Sequence, residues 1–434
     1  MSRQPVLSSR ARKRQTLLPQ HTYTSPTGPY YDPDLYPDGV INISTAENSL
    51  LSERLIEHLS RPLTIYPPHL KYRYTLTKTT LPTVEDLLPQ YVNDHFNPLV
   101  QITTLFSPAG ANSVAGPGVG AVLAQLIWAL ADEGAGVLIT APFYDDYIRD
   151  IVHPGLASVV LPKIPAEELL QSTERGVEIQ VLLLCNPHNP LPQVVAREVV
   201  QAYALFAEKH NLHLVVDEVY GLSTFESAYP PVVNVKFESI LSYDLAGMGV
   251  DPSRVHVLAG PTKDFGASGI KLGLLVSPSN APLISLLKPL FNATPISAAS
   301  DLLFARVLGD TPFVDKFLAD NRAALGEAYE FVARWMIFHD LPFTRANAGV
   351  YVVVDLAPFI RRIADPSKGD IEKLDLAVAA MLSEKVFLKP TNLMADPIPT
   401  RFRLIFTHPR PTMELALRRI ERAFGAPSAP LSDY

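Results

Sequence analysis

Residues 255–273 read VHVLAGPTKDFGASGIKLG. The run Val255–Ala259 has the length and apolar character of a short buried strand, and Gly260-Pro261 closes it with a turn. Lys263 therefore stands just past a strand's carboxyl end, in a turn of Gly and small residues. A lysine taken alone is nearly always a solvated charge. Its position gains weight from residues 212–220, LHLVVDEVY, where another apolar strand ends in Asp217 with Tyr220 three residues on. Ligands of open α/β sheets bind at the carboxyl ends of strands. By itself Asp217 reads equally well as a cap or a surface turn.

Working outward, VEIQVLLLCNP runs into CNPHNP at residues 185–190. There Asn189-Pro190 makes a rigid turn that fixes where the amide points, although a plain turn is the ordinary reading of such a motif. Further upstream, residues 109–126 read AGANSVAGPGVGAVLAQL. This glycine-rich run follows an expected strand in LVQITTLF and opens a long apolar helix, whose N-terminal N–H groups are a ready phosphate site. A dinucleotide fingerprint GxGxxG fails at Leu123, which disfavours a nicotinamide-dependent oxidoreductase.

Between about Leu99 and Ser279, short apolar runs alternate with helical patterns. They include GVLITAPF, SVVLP, a helix from Ala196 to Lys209, and KLGLLVSP. Several strands are apolar on both faces, as strands buried between helix layers are. This alternation predicts an α/β sheet that is largely parallel. After Ser297 the pattern predicts an α+β region: DLLFARVLGD and residues 313–338 as helices, GVYVVVDL and RFRLIF as strands, and a closing helix from Met413 to Phe424. The first forty residues read as an extended arm. A polar helix is expected near Glu47–Leu59, with Ser44 or Thr45 as its cap.

The chain has 434 residues, a formal charge of −7 and 47% apolar residues. That is enough for two or three domains with real cores, and it lacks the basic surplus of a nucleic-acid binder. Arg10, Arg12, Lys13 and Arg14 form the one basic cluster and read as a solvated tail. The single cysteine, Cys185, excludes an internal disulfide framework and a multi-cysteine metal site; no metal is expected. Val119–Ala131 is too short and too mixed to span a bilayer, and no signal-like apolar core opens the chain. A cytoplasmic protein with no membrane partner is the expectation.

Taken in order, the phosphate cup, NPHNP, DEVY and TKDFGASG resemble the fold-type I pyridoxal-phosphate enzymes of the class I/II aminotransferases. Within them the chain is most similar to the 1-aminocyclopropane-1-carboxylate-synthase-like branch, and to fungal secondary-metabolism members of it. The resemblance runs from PDGVINISTAEN at residues 37–48 to RFRLIF and the last helix. It implies an aspartate-aminotransferase-like α/β fold: a large domain with a mostly parallel seven-stranded sheet, plus a smaller α+β domain. The divisions expected are an arm and the start of the small domain at 1–60, the cofactor domain at 61–300, and the C-terminal small domain at 301–434.

Residue by residue, the resemblance implies that Lys263 holds pyridoxal 5′-phosphate as a Schiff base and, once freed, moves the substrate α-proton. Asp217 would keep the pyridine nitrogen protonated. Tyr220 and Asn189 would hydrogen-bond the cofactor's phenolic oxygen, and Tyr144 would stack on its ring. Arg403 would clamp the substrate carboxylate through a bidentate fork. Ala46 and Glu47 would line the substrate pocket, and Tyr74 of the partner subunit would reach the phosphate. The cup is expected at Gly118, Val119 and Gly120, with Ala111 and Asn112 as the alternative, and Thr262 beside the lysine.

Three positions depart from the family. Gly260 stands where a phosphate-binding serine is usual, Lys271 replaces an arginine and so loses the fork, and Leu191-Pro192 replaces a glycine after the second Asn-Pro. None removes the lysine, the acid or the arginine. The resemblance implies an aminotransferase acting on an α-amino acid in secondary-metabolite (toxin) biosynthesis, as a homodimer. The alternatives are a carbon–sulfur lyase acting on a cysteine conjugate and a catalytically silent scaffold, because the cofactor residues alone do not choose among them.

Overall fold

A computed structural model describes residues 8, 11–12, 26–71, 82–103, 110–155, 157–160, 177–231 and 235–433. Tyr74, and Arg10, Lys13 and Arg14 of the basic cluster, lie outside the described residues.

A short strand, β1 (Ile41–Asn42), is followed by helices α1 (Ser52–Leu59) and α2 (Val84–Phe96). The central region alternates: β2 (Ser113–Gly116), α3 (Val119–Leu130), β3 (Gly136–Ile139), α4 (Asp146–Gly155), β4 (Ser158–Val160), β5 (Ile179–Cys185), α5 (Arg197–Lys209), β6 (His213–Asp217), β7 (Val255–Ala259) and β8 (Gly273–Val276). Three helices come next, α6 (Ala281–Ala293), α7 (Ala298–Leu308) and the long α8 (Thr311–Phe338). The chain ends with β9 (Tyr351–Asp355), α9 (Ala357–Ile363), α10 (Asp370–Ser383), β10 (Val386–Phe387), β11 (Lys389–Pro390), β12 (Arg401–Ile405) and α11 (Arg410–Ala423).

Seven strands form one sheet in the order β2-β8-β7-β6-β5-β3-β4. Neighbours from β7 to β4 are parallel, while β8 runs antiparallel to both β7 and β2. The two apolar faces seen in the sequence are both used. Leu182, Leu184, Leu214, Val216 and Val257 pack on one side with α2, α5 and α7. Val181, Leu183, Val215 and Leu258 pack on the other with α3 and α6. Alternate residues of one strand thus enter two cores, which is why no polar face shows in the pattern. A third core gathers β9, β12, α10, α11 and the second half of α8, and takes in Ile41 and Ile43.

The structure departs from the sequence-based expectation at two places. LVQITTLF is not a strand over its described residues, 99–103; the edge strand is Ser113–Gly116, inside the glycine-rich run. Its last residue must be glycine-sized, because a Cβ on Gly116 would lie 2.7 Å from the Phe291 ring of α6. The early helix begins at Ser52, and its N-cap residue Leu51 makes no side-chain cap, so neither Ser44 nor Thr45 opens it. Residues 43–49 instead run beside the end of β12, where the Ile405 N–H donates to the Ile43 carbonyl at 2.9 Å, Thr407 Oγ1 to the Glu47 carbonyl at 2.6 Å and the Ser49 N–H to the Thr407 carbonyl at 2.8 Å.

Candidate active site

The ladders β5–β6 and β6–β7 put Cys185, Asp217 and Leu258 side by side, so the turns that follow these strands leave one edge of the sheet together. They open into a cavity of about 720 Å³ that also takes in the start of α3, residues 44–47 and Arg403 of β12.

Asp217 is buried at 5% exposure. Its carboxylate accepts hydrogen bonds from Tyr147 Oη at 2.6 Å and from the Val219 N–H at 3.2 Å. Burial pushes its carboxyl up to about 6, against the opposing effect of these two donors. Tyr220 is buried with its ring edge-on to Tyr351, and burial raises its phenol. Tyr144 donates to Asp146 at 2.8 Å and meets the Tyr147 ring edge-on.

Lys263 Nζ donates to the Ala46 carbonyl at 2.7 Å and stands 5.9 Å from the Tyr220 ring centroid. Burial, then the charges of Arg403 and Lys271, lower its amine to about 8. That makes the lysine a far better nucleophile near neutrality than a solvated one. The turn carrying it is held tightly. Gly266 has φ +64°, and a Cβ there would lie 2.1 Å from the Asn48 carbonyl oxygen. Next to the lysine, buried Asp264 accepts from Tyr91 at 3.0 Å and Ser223 at 2.7 Å.

Arg403 is 2% exposed. One guanidinium nitrogen donates to Asn189 Oδ1 at 3.0 Å and the other to the Ser44 carbonyl at 2.8 Å. Its Nε has no hydrogen-bond partner among the described residues. A buried cation held in one orientation with a free donor is equipped to take a carboxylate. The Asn189 carbonyl is engaged by Arg403, so the N–H groups of its amide are what it offers a ligand.

Gly118, at φ +102°, caps α3, and Gly118, Val119 and Gly120 line the cavity together with Thr262 and Lys271. A Cβ on Gly118 would lie 3.5 Å from Lys271 Cδ, which brings the lysine against the helix terminus. Ala111 and Asn112, the alternative cup, do not line it. Asn112 instead staples the preceding loop, accepting from the Thr103 N–H at 2.8 Å and donating to the Gln101 carbonyl at 3.0 Å. Gly260 is explained by space: a Cβ there would sit 3.0 Å from the Leu272 carbonyl oxygen.

Several side chains of the cavity escaped the sequence reading, among them Tyr147, Ser268, Asp145, Asp150 and Lys389. Tyr147 could have been found from APFYDDY, since it falls three residues after Tyr144 at the start of a helix. Ser268, whose buried hydroxyl has no partner among the described residues, carried no spacing signal. Asp145 and Lys389 form an ion pair at 2.6 Å, and Lys389 lies opposite Arg403 in the β11–β12 ladder; only the ladder brings them there.

The residues present fit pyridoxal phosphate. A helix terminus with a cation and a spare hydroxyl suits its phosphate, a buried carboxylate suits a protonated pyridine nitrogen, and a lysine with a lowered pKa suits its carbonyl.

Comparison with known proteins agrees. A family model described as aminotransferase class I and II matches residues 73–420. The probable aminotransferase gliI of Aspergillus fumigatus is 29% identical over 408 residues, 89% of either chain. The mouse 1-aminocyclopropane-1-carboxylate synthase-like protein 1 is 28% identical, covering 93% of this chain and 80% of its own. Among solved structures, a Thermus thermophilus aspartate aminotransferase variant superposes with a TM-score of 0.67 at 17% identity, covering 97% of this chain and 100% of that one.

Proposed function

The chain belongs to the class I and II aminotransferases, and on that premise we propose that it moves the amino group of an α-amino acid in secondary-metabolite (toxin) biosynthesis. Its cofactor, as in this fold generally, is pyridoxal phosphate. One observation carries the reading: Lys263, Asp217 and Arg403 line a single cavity at the carboxyl edge of the sheet. The biosynthetic setting rests on the resemblance to fungal members and is in keeping with the Aspergillus relative.

Bound, the cofactor supplies a carbonyl that condenses with amines and a pyridinium ring that accepts the electron pair released at the substrate's α-carbon. Asp217 holds the proton on that ring nitrogen, and Tyr147 keeps the carboxylate oriented and ionised. Tyr220 and Asn189 would hydrogen-bond the cofactor's phenolic oxygen and so orient it. Arg403 takes the substrate α-carboxylate, pre-aimed by Asn189 and Ser44. Lys263 holds the cofactor between turnovers and then, as a free amine, carries the α-proton; its lowered pKa suits both tasks near neutrality. Glu47 is exposed and lines the cavity, where it would meet the substrate side chain.

We also propose a cytoplasmic homodimer. Leu63, Ile65, Tyr66 and Leu70 are each more than 40% exposed within one short segment, a density of apolar surface that a partner subunit would cover. Among the described residues no helix is long and apolar enough to cross a membrane.

The test is to incubate the loaded protein with amino acids and a 2-oxo acid acceptor. A new amino acid formed from the acceptor supports transamination. Ammonia and an oxo acid released from S-conjugated cysteines, with no acceptor needed, would replace it with carbon–sulfur lyase activity. Neither product would leave a silent scaffold.

A further inference from the structure

The phosphate end of the cavity carries a carboxylate beside its cation. Asp150, on α4, lines the cavity with Gly118, Gly120 and Lys271. Its Oδ2 lies 2.8 Å from where a Cβ on Gly120 would be, so the acid rests against the opening turn of α3. Only 14% of its side chain is exposed. On its own helix it faces Arg149, whose Nε approaches at 3.4 Å and whose Nη1 is engaged by Asp146 at 3.1 Å. Lys271 faces it from the turn before β8, and Asp217 and Lys263 lie across the cavity. The α3 sequence, VGAVLAQLIWAL, contributes no charge. Burial already pushes the Asp150 carboxyl up, opposed by Arg149 and Lys271.

A helix terminus and a lysine attract an anion. A second anion set beside Asp150 also meets like charge, and two acids so placed relieve it by keeping one proton between them. We propose that Asp150 is the proton-holding side chain of the phosphate cradle: the chain takes up one proton from water as it binds a phosphorylated cofactor, and binds it more tightly as pH falls. This rests on the cofactor reading above. The sign distinguishes it from a plain cradle. With helix and lysine alone, the phosphate dianion, which forms above about pH 6, binds better than the monoanion, and affinity rises with pH. With Asp150 present the required proton grows scarce as pH rises, and affinity falls by up to about tenfold per pH unit.

Pyridoxamine 5′-phosphate is the probe, because it carries the phosphate without a carbonyl that could react with Lys263. Calorimetry from about pH 6 to 8, in two buffers of different ionisation heat, reads both its Kd and the protons taken up. The wild type is expected to weaken with rising pH and to take up close to one proton. Asp150→Asn and Asp150→Ser are expected to lose or reverse that slope and to bind more tightly than wild type at the alkaline end. Equal slopes in all three proteins, or weaker binding by both variants at the alkaline end, would overturn the proposal. If the wild type binds the probe at no pH and pyridoxal phosphate gives no visible band, the cofactor reading itself fails, and the proposal with it.

Discussion

The Tyr147 hydroxyl donates a 2.6 Å hydrogen bond to the carboxylate of Asp217, joining the first turn of α4 to the end of β6. The acid expected to hold the ring proton is thus held in turn by a phenol. Burial works against its charge and Tyr147 works for it. Tyr147→Phe removes the donor without opening a cavity, so kcat should fall about tenfold, near the ~1.4 kcal/mol of one hydrogen bond to a charged group. The KM for the amino acid should hardly move, since Arg403 is untouched. An unchanged kcat would mean that Tyr147 only fills space.

The lowered pKa of Lys263 gives a second prediction, for the protein before loading. Its amine is neutral, and so reactive, above about pH 8. Acylation of Lys263 by an amine-directed reagent, followed by peptide mass spectrometry, should rise through that pH and then level off. Arg403→Met removes a neighbouring positive charge and should move the midpoint upward. A midpoint in the ordinary lysine range in the wild type would contradict the account.

As the proposed carboxylate clamp, Arg403 would bind through geometry as well as charge. Arg403→Lys keeps the charge but loses the planar fork that Asn189 and Ser44 hold in place. kcat/KM for amino acids should drop about 10- to 100-fold, the equivalent of 1.4–2.8 kcal/mol for a charge-assisted pair. The loss should lie mainly in KM, and the visible band of the loaded protein should persist.

Gly266→Ala tests the fit between the lysine turn and residues 46–48. The site combines φ +64° with a Cβ position 2.1 Å from a backbone oxygen. The left-handed backbone alone costs about 1–2 kcal/mol, and the collision adds to it. Thermal unfolding should show a clearly lower Tm, and cofactor binding should weaken as the Ala46 carbonyl moves from Lys263. A Tm equal to wild type would show the turn to be pliable.

The sequence made strand ends legible because apolar runs stop abruptly at Asp217, Asn186 and Gly260, each followed by a turn. It could not show Ser113–Gly116 as a strand, since the segment is short and lies inside a glycine-rich run whose Gly116 leaves room only for a hydrogen against Phe291. Ser44 and Thr45 look like caps in any local reading; it is the pairing of β1 with β10 that carries them beside β12, where the Ser44 carbonyl meets Arg403. Lys389 entered the cavity by cross-strand register with Arg403, information that lies in no single stretch. Asp150 was invisible for the same reason: a helix-surface acid becomes a cavity acid only once α4 packs on α3.

The central claim is that Lys263 carries the cofactor. The most direct measurement is to load the protein with pyridoxal phosphate, reduce it with borohydride, digest it and map the adduct by mass spectrometry. The account predicts one stable pyridoxyl adduct, on the peptide containing Lys263, and none there in Lys263→Ala. An adduct spread over surface lysines, or none at all, would contradict it.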